Sequence, residues 1–271
     1  MQANINGTPI YYEQHGDGAP IICIHGFPED HRAMTACFEP VFYGVNGFRR
    51  LYIDLPGLGK SPANPLIENA DDMLNTLFQF IEQLLGSEHF FLMGQSYGGY
   101  LALGLAQQLP ERIKGVYFLC PCVVAKRERR TLPARAVMKR EDVALSADDD
   151  PMDFEEFTQT ATVITNETWE RYKTEILPGL KCADNVFVER YQGAGYGFSF
   201  ESELKNICFA KPTTFLLGRQ DECVGYQDAF HLLECFPCAS FEIVDGAGHN
   251  LQIEQPSVFR NSVLGWLNRF E

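Results

Sequence analysis

Phe90-Phe-Leu-Met-Gly94-Gln-Ser96-Tyr-Gly98-Gly99-Tyr-Leu-Ala-Leu is the stretch that decides the fold. Its apolar start reads as a buried strand, and residues from Tyr97 to Gln108 read as a helix. Between them stands Gly-x-Ser-x-Gly, which occurs nowhere else in the chain. A strand that turns directly into a helix needs residues without a Cβ on either side of the turn. Gly94 and Gly98 meet that need, and they leave Ser96 on a tight elbow with its oxygen aimed away from the sheet.

Working outward, short apolar runs bounded by turn residues alternate with longer amphipathic stretches, the pattern of βαβ units and a mainly parallel sheet. The strands expected are Ala3–Ile5, Pro9–Gln14, Pro20–Ile24, Phe48–Ile53, Phe90–Met93, Gly115–Cys120, Thr213–Leu217 and Phe241–Val244. Asn6-Gly7 between the first two predicts a hairpin. The helices expected are Arg32–Phe38, Asp71–Leu85, Tyr97–Gln108, Gly225–Cys235 and Pro256–Phe270. From Cys122 to about Glu203 the alternation stops. That stretch is highly charged and helical in pattern, so residues 122–203 read as an insertion into a core formed by 1–121 and 204–271. Lys126-Arg-Glu-Arg-Arg130 and the acidic runs after it read as a solvated face.

The 271 residues carry 22 Lys plus Arg against 36 Asp plus Glu, a formal net charge of −14. Such a field repels polyanions and excludes general nucleic-acid binding. No run approaches the roughly 18 apolar residues of a membrane span, and Met1 to Gly7 lacks the basic and apolar regions of an export signal. Nine cysteines, an odd number scattered through apolar segments, suit reduced, buried thiols. Cys120-Pro-Cys122 has poor zinc spacing, and neither it nor Cys235-Phe-Pro-Cys238 sits in a knuckle-like turn. The expectation is a cytoplasmic protein with a small-molecule partner, no nucleic acid, no membrane, no metal and no organic cofactor.

A serine hydroxyl needs a base to take its proton and a carboxylate to orient that base. Among six histidines, His249 lies in a glycine-rich loop between the last strand and the last helix. His25 and His31 lie near the same sheet edge, but the order serine, acid, histidine favours His249. Asp221, after an apolar run and a short turn, supplies the acid, with Glu222 and Asp245 as rivals. Backbone donors for an oxyanion are expected from Tyr97, directly after Ser96, and from Phe27 in Ile24-His25-Gly26-Phe27-Pro28. Gly26 lets the backbone approach, and Pro28 has no N–H to offer.

With these residues in order, the chain resembles the α/β-hydrolase superfamily, in its compact members with a helical cap. His25-Gly-Phe-Pro28 looks like the oxyanion loop, Asp54-Leu-Pro-Gly57-Leu-Gly59-Lys-Ser61 like the glycine-rich loop that follows, and Gly94-Gln-Ser96-Tyr-Gly98-Gly99 like the elbow. Gly218-Arg-Gln-Asp221 and Gly248-His249 look like the acid and base positions. The resemblance implies a mostly parallel eight-stranded sheet flanked by helices, with 122–203 as the variable cap. It also implies a Ser96-His249-Asp221 triad acting on a small, apolar ester-like or acyl substrate through an acyl-enzyme. Ser96 stands where cap-bearing epoxide hydrolases and haloalkane dehalogenases have aspartate. The loop His25-Gly-Phe-Pro-Glu-Asp30 matches neither proline iminopeptidases nor carbon–carbon bond hydrolases of aromatic breakdown. The tail from His249 to Glu254 does look like that of the latter, which keeps carbon–carbon cleavage as the alternative reaction. A receptor-like protein that keeps the fold without turnover is the alternative from another class.

Overall fold

The protein is described from a computed structural model, which covers residues 1–270. The chain opens with β1 (Gln2–Ile5) and β2 (Thr8–His15), joined at Asn6 and Gly7, both with positive φ (50° and 86°). Positive φ at both turn positions is what a two-residue hairpin turn requires. There follow β3 (Ala19–Ile24), α1 (His31–Phe42), β4 (Phe48–Ile53), α2 (Ala70–Leu85), β5 (Phe90–Gln95), α3 (Tyr97–Gln108) and β6 (Ile113–Leu119). The stretch after β6 holds β7 (Lys139–Arg140), α4 (Pro151–Thr160), β8 (Val163–Ile164), α5 (Asn166–Glu175), α6 (Leu177–Cys182) and α7 (Asn185–Gly193). The core resumes with β9 (Thr213–Gly218), α8 (Gln227–Phe230), β10 (Ala239–Val244), α9 (Leu251–Glu254) and α10 (Pro256–Leu267).

Eight strands form one sheet in the order β1-β2-β4-β3-β5-β6-β9-β10. β2 is antiparallel to both its neighbours, and the rest pair in parallel. Every residue of β5 and β9 is buried, as expected of parallel strands covered on both faces by helices. β3 lies between β4 and β5, so the chain leaves β3 in opposite directions across the sheet. A crevice opens at such a switch point, above the carboxyl ends of the strands. The loops after β3, β4, β5, β9 and β10 all lie on that edge, and they carry the five segments singled out from the sequence.

Three local expectations are corrected. Residues 225–235 do not form one helix. They form the single turn α8 and a 3₁₀ turn at Leu233–Cys235, because the backbone closes three-residue bonds (His231 N–H to Asp228 O, Leu232 N–H to Ala229 O, Cys235 N–H to Leu232 O) in place of a continuous α-helical ladder. The insertion does contain strand pairing: Lys139 and Arg140 lie parallel to Val163 and Ile164. Two residues per strand are too few to show a period of two in a sequence. Finally, Cys182, Cys208 and Cys238 are exposed, so the thiols are free but not uniformly buried.

The basic run 126–130 is also less uniform than a solvated face. Arg130 is half-buried and donates to the carbonyls of Val124, Ala125 and Cys223, each at 2.8 Å. Its guanidinium therefore pins the chain leaving β6 to the loop that follows β9.

Candidate active site

Ser96 sits between β5 and α3 with φ 51°, in the left-handed region that a residue with a Cβ occupies only under constraint. The constraint is visible on both sides of it. The Ser96 N–H donates to Leu119 O in β6 (3.1 Å), and its carbonyl accepts the Cys122 N–H (2.8 Å). A Cβ on Gly98 would collide with the Ile24 carbonyl, so only glycine lets α3 start this close to β3.

Around the elbow the expected partners converge. Ser96 Oγ lies 2.9 Å from His249 Nε2, and His249 Nδ1 lies 2.8 Å from Asp221 Oδ2. A carboxylate only accepts hydrogen bonds, so Nδ1 carries the proton and Nε2 is free to accept from the serine hydroxyl. Asp221 is buried, and its other oxygen accepts the N–H groups of Cys223 (2.8 Å) and Val224 (3.0 Å), which fix the carboxylate in place. Burial works against a charged His249, but the Asp221 carboxylate outweighs it, and with Glu29 nearby the imidazole is held well above its ordinary value.

The alternatives are engaged elsewhere. Glu222 pairs with Arg135 (3.3 Å), and Asp245 accepts from Gln220 (2.8 Å). His25 places Nδ1 at 2.6 Å from Gly26 O and accepts the Leu55 N–H at Nε2 (3.1 Å), bracing one loop against the next. Burial pushes its pKa down. His31 is held between Asp54 (2.7 Å) and Glu13 (3.1 Å). Asp30, His31 and Asp54 come close enough together to suggest a metal centre. Their donor atoms, however, are already taken by Arg32, by the His31 N–H and by the Lys60 N–H, so the group reads as the joint that starts α1.

Phe27 and Tyr97 meet edge to face, with centroids 5.7 Å apart. Among the described residues neither backbone N–H donates a hydrogen bond. Tyr191 of α7 covers both: its ring lies 5.5 Å from Phe27, and its hydroxyl is 2.7 Å from the Tyr97 hydroxyl. Tyr196 stacks on Tyr97 at 4.4 Å.

A pocket of about 640 Å³ opens over Ser96 and His249, walled by Phe27, Glu29, Tyr196 and the chain from Ala125 to Arg130. Of the aromatic residues in 122–203, only Tyr196 lines it. Phe157, Trp169 and Tyr172 form a separate core with Ala33 and Ile253, while Phe198 stacks on Tyr100 (4.3 Å). Lys126, Arg127 and Arg130 line the pocket in their place, so it is more polar than the sequence suggested.

Two carboxyls went unassigned in the sequence reading. Glu254 is buried beneath the histidine loop, and the interval of five residues after His249 was its only signal. Glu29 is buried in the pocket wall, two residues past Phe27; nothing in the sequence separated it from its neighbour Asp30.

A model of the family described as alpha/beta hydrolase fold matches residues 19–256. The chain belongs to this family. Among solved structures, an alpha/beta superfamily hydrolase from Oenococcus oeni PSU-1 is 33% identical, with a TM-score of 0.90 over 96% of this chain and 95% of that one. A proline iminopeptidase of Arabidopsis thaliana is 26% identical over 89% of this chain and 72% of its own length. A 2-hydroxy-6-oxononadienedioate/2-hydroxy-6-oxononatrienedioate hydrolase of Pseudomonas putida is 23% identical, covering 95% of this chain and 91% of its own. The protein is an enzyme of hydrolase type. Its loop departs from the iminopeptidase pattern, yet iminopeptidases are among its relatives, so that loop alone does not separate the two. No helix among the described residues is long and apolar enough to cross a membrane.

Proposed function

We propose that this hydrolase works through Ser96, His249 and Asp221 on a small ester-like substrate by way of an acyl-enzyme. The observation that carries this reading is the unbroken line of contacts from Ser96 Oγ to His249 Nε2 (2.9 Å) and from His249 Nδ1 to Asp221 (2.8 Å). Ser96 Oγ attacks the carbonyl carbon as His249 takes its proton. The oxyanion is received by the Phe27 and Tyr97 N–H groups, which no acceptor among the described residues occupies. His249 then gives the proton to the leaving group. Water, deprotonated in turn by His249, attacks the acyl-enzyme and frees the acid and Ser96. None of these steps calls on a metal or organic cofactor.

Residues 122–203 act as the cap in this reading. Their support is the contact of Tyr191 and Tyr196 with Phe27 and Tyr97, and the place of the chain from Ala125 to Arg130 in the pocket wall. Nine free cysteines fit a reducing compartment such as the cytoplasm.

A fluorophosphonate followed by peptide mapping tests the reading, together with p-nitrophenyl esters of increasing acyl length. One adduct on Ser96 with ester turnover is expected; an unlabelled Ser96 overturns it. Carbon–carbon bond cleavage is the second reading, favoured by the Pseudomonas putida relative and by the tail from His249 to Glu254. An adduct on Ser96 with no ester hydrolysed at any acyl length turns the assignment toward it.

A further inference from the structure

Glu29 takes no part in the steps above, yet it lines the same pocket as Ser96 and His249. It is buried, and among the described residues its Oε2 has no hydrogen-bond partner. No ion pair reaches it among the described residues, since Arg32, the nearest base in sequence, is spent on Asp30. Its backbone N–H closes a turn onto the Gly26 carbonyl (3.1 Å), in the loop that carries Phe27. Gly26 lies between the carboxyl and the nucleophile: a Cβ there would stand 3.0 Å from Ser96 Cβ and 3.1 Å from Glu29 Oε2.

A buried acceptor without a partner costs about 1–3 kcal/mol, and for a carboxyl the cost is greater. Burial accordingly pushes Glu29 up to about 7, with the nearby positive charge of His249 pulling the other way. Two polar groups stand at this spot, the Gly26 N–H beside the carboxyl and Gln95, both of whose amide atoms are also unpartnered. Even with its amide turned toward Glu29, a carboxyl group retains free lone pairs. Such a group, beside the serine and facing the pocket, is completed by a donor that arrives with the substrate.

We propose that Glu29 is a specificity residue that accepts a hydrogen bond from a donor on the carbon next to the scissile carbonyl. In an acyl group with such a substituent, the donor lies beside the carbonyl oxygen, on the side of the Phe27 loop. A hydroxyl suits the site better than an ammonium, because Lys126, Arg127 and Arg130 line the same pocket and His249 becomes a cation during the reaction. The substrate class is therefore the α-hydroxy acyl esters. The proposal rests on the serine-hydrolase reading given above.

Methyl lactate, methyl isobutyrate and methyl alaninate differ only in presenting a hydroxyl, a methyl or an ammonium at that position. Their hydrolysis is followed by pH-stat in wild type, Glu29→Ala and Glu29→Gln. The expected result is a lactate preference over isobutyrate of about tenfold in kcat/KM, one hydrogen bond's worth. Glu29→Ala loses it, and Glu29→Gln keeps it, since the amide oxygen still accepts. An alaninate preference abolished by both variants also supports the donor contact, with ammonium as the donor. Equal rates on lactate and isobutyrate with no alaninate preference, or a preference untouched in Glu29→Ala, overturn the proposal. Should no ester of the three turn over, protection of Ser96 from the fluorophosphonate gives the same comparison. Failure of the serine-hydrolase reading shows separately, as absent labelling in the wild type, and the rise in Tm produced by each ester then carries the comparison between wild type and Glu29→Ala.

Discussion

Glu254 binds the Gly248 N–H, one residue before His249, with one carboxylate oxygen, and with the other it accepts the N–H groups of Thr162 (2.6 Å) and Val163 (3.2 Å) in the insertion. A single buried side chain thus fastens the His249 loop to the segment leading into β8. Glu254→Ala strands three buried donors, each worth about 1 kcal/mol or more, so a loss of about 3 kcal/mol and a fall in Tm of about 6–12 °C are expected. The histidine loop is also released. A displacement of His249 by about 1 Å costs about 10²-fold in kcat. Thermal unfolding and ester kinetics check both expectations, and a variant with wild-type Tm and kcat would show that the strap is dispensable.

The pH dependence follows from the environment of His249. In the proposed role of base His249 works only when neutral, and Asp221 holds its proton on beyond the ordinary imidazole value of about 6.5. Turnover is expected to rise with pH from 5 through 8 and beyond. The stability contribution of the charged pair has the opposite course: it is fully present below the unfolded value of about 6.5 and is lost as pH rises through the higher folded value. Asp221→Asn removes the charge that retains the proton, so its acid limb moves to lower pH while kcat falls by about 10³–10⁴. Profiles of kcat/KM from pH 5 to 10 decide the matter, and a flat wild-type profile from pH 5 to 8 contradicts the assignment of the base.

Ser96→Ala and His249→Ala should each lower kcat by at least about 10³. Ser96 sits on a backbone held by Leu119 and Cys122 through main-chain bonds, which the substitution leaves alone. The change in stability of Ser96→Ala is therefore expected within about 1 kcal/mol. Wild-type turnover in either variant removes that residue from the mechanism.

How far the sequence alone reached depends on whether a signal was local. The elbow, the Asn6-Gly7 hairpin and the alternation of strands and helices are local, because glycine positions and apolar periods leave their mark within a few residues. His249 was legible through chain order. Asp221 was preferred through its place after an apolar run, but what sets Glu222 and Asp245 aside, Arg135 and Gln220 drawing them away, was not legible. The roles of Arg130, Glu254 and Glu29 were hidden for a similar reason. Their partners, or their lack of partners, are set by chain segments up to about a hundred residues distant, and no period or motif records that. The aromatic residues of the insertion left their role open, because a Phe that roofs a pocket and a Phe that fills a second core look alike in sequence.

Glu29 gives a last expectation that needs no substrate. Its pKa is raised from 4.5 to about 7 in the folded protein, so the native state prefers the protonated carboxyl. A raised value contributes stability below the unfolded pKa that is lost as pH climbs through the folded one. At about 1.4 kcal/mol per unit, the wild type gives up about 3 kcal/mol between pH 4.5 and 8 on account of this group. Glutamine has nearly the same shape and cannot ionise, so Glu29→Gln escapes that loss. The variant should unfold close to the wild type at pH 5 and at a Tm higher by about 6–12 °C at pH 8. Thermal scans at the two values measure the gap directly. A gap that does not widen with pH shows that the carboxyl is solvated in the folded chain and that the pocket around Ser96 is wetter than its walls imply.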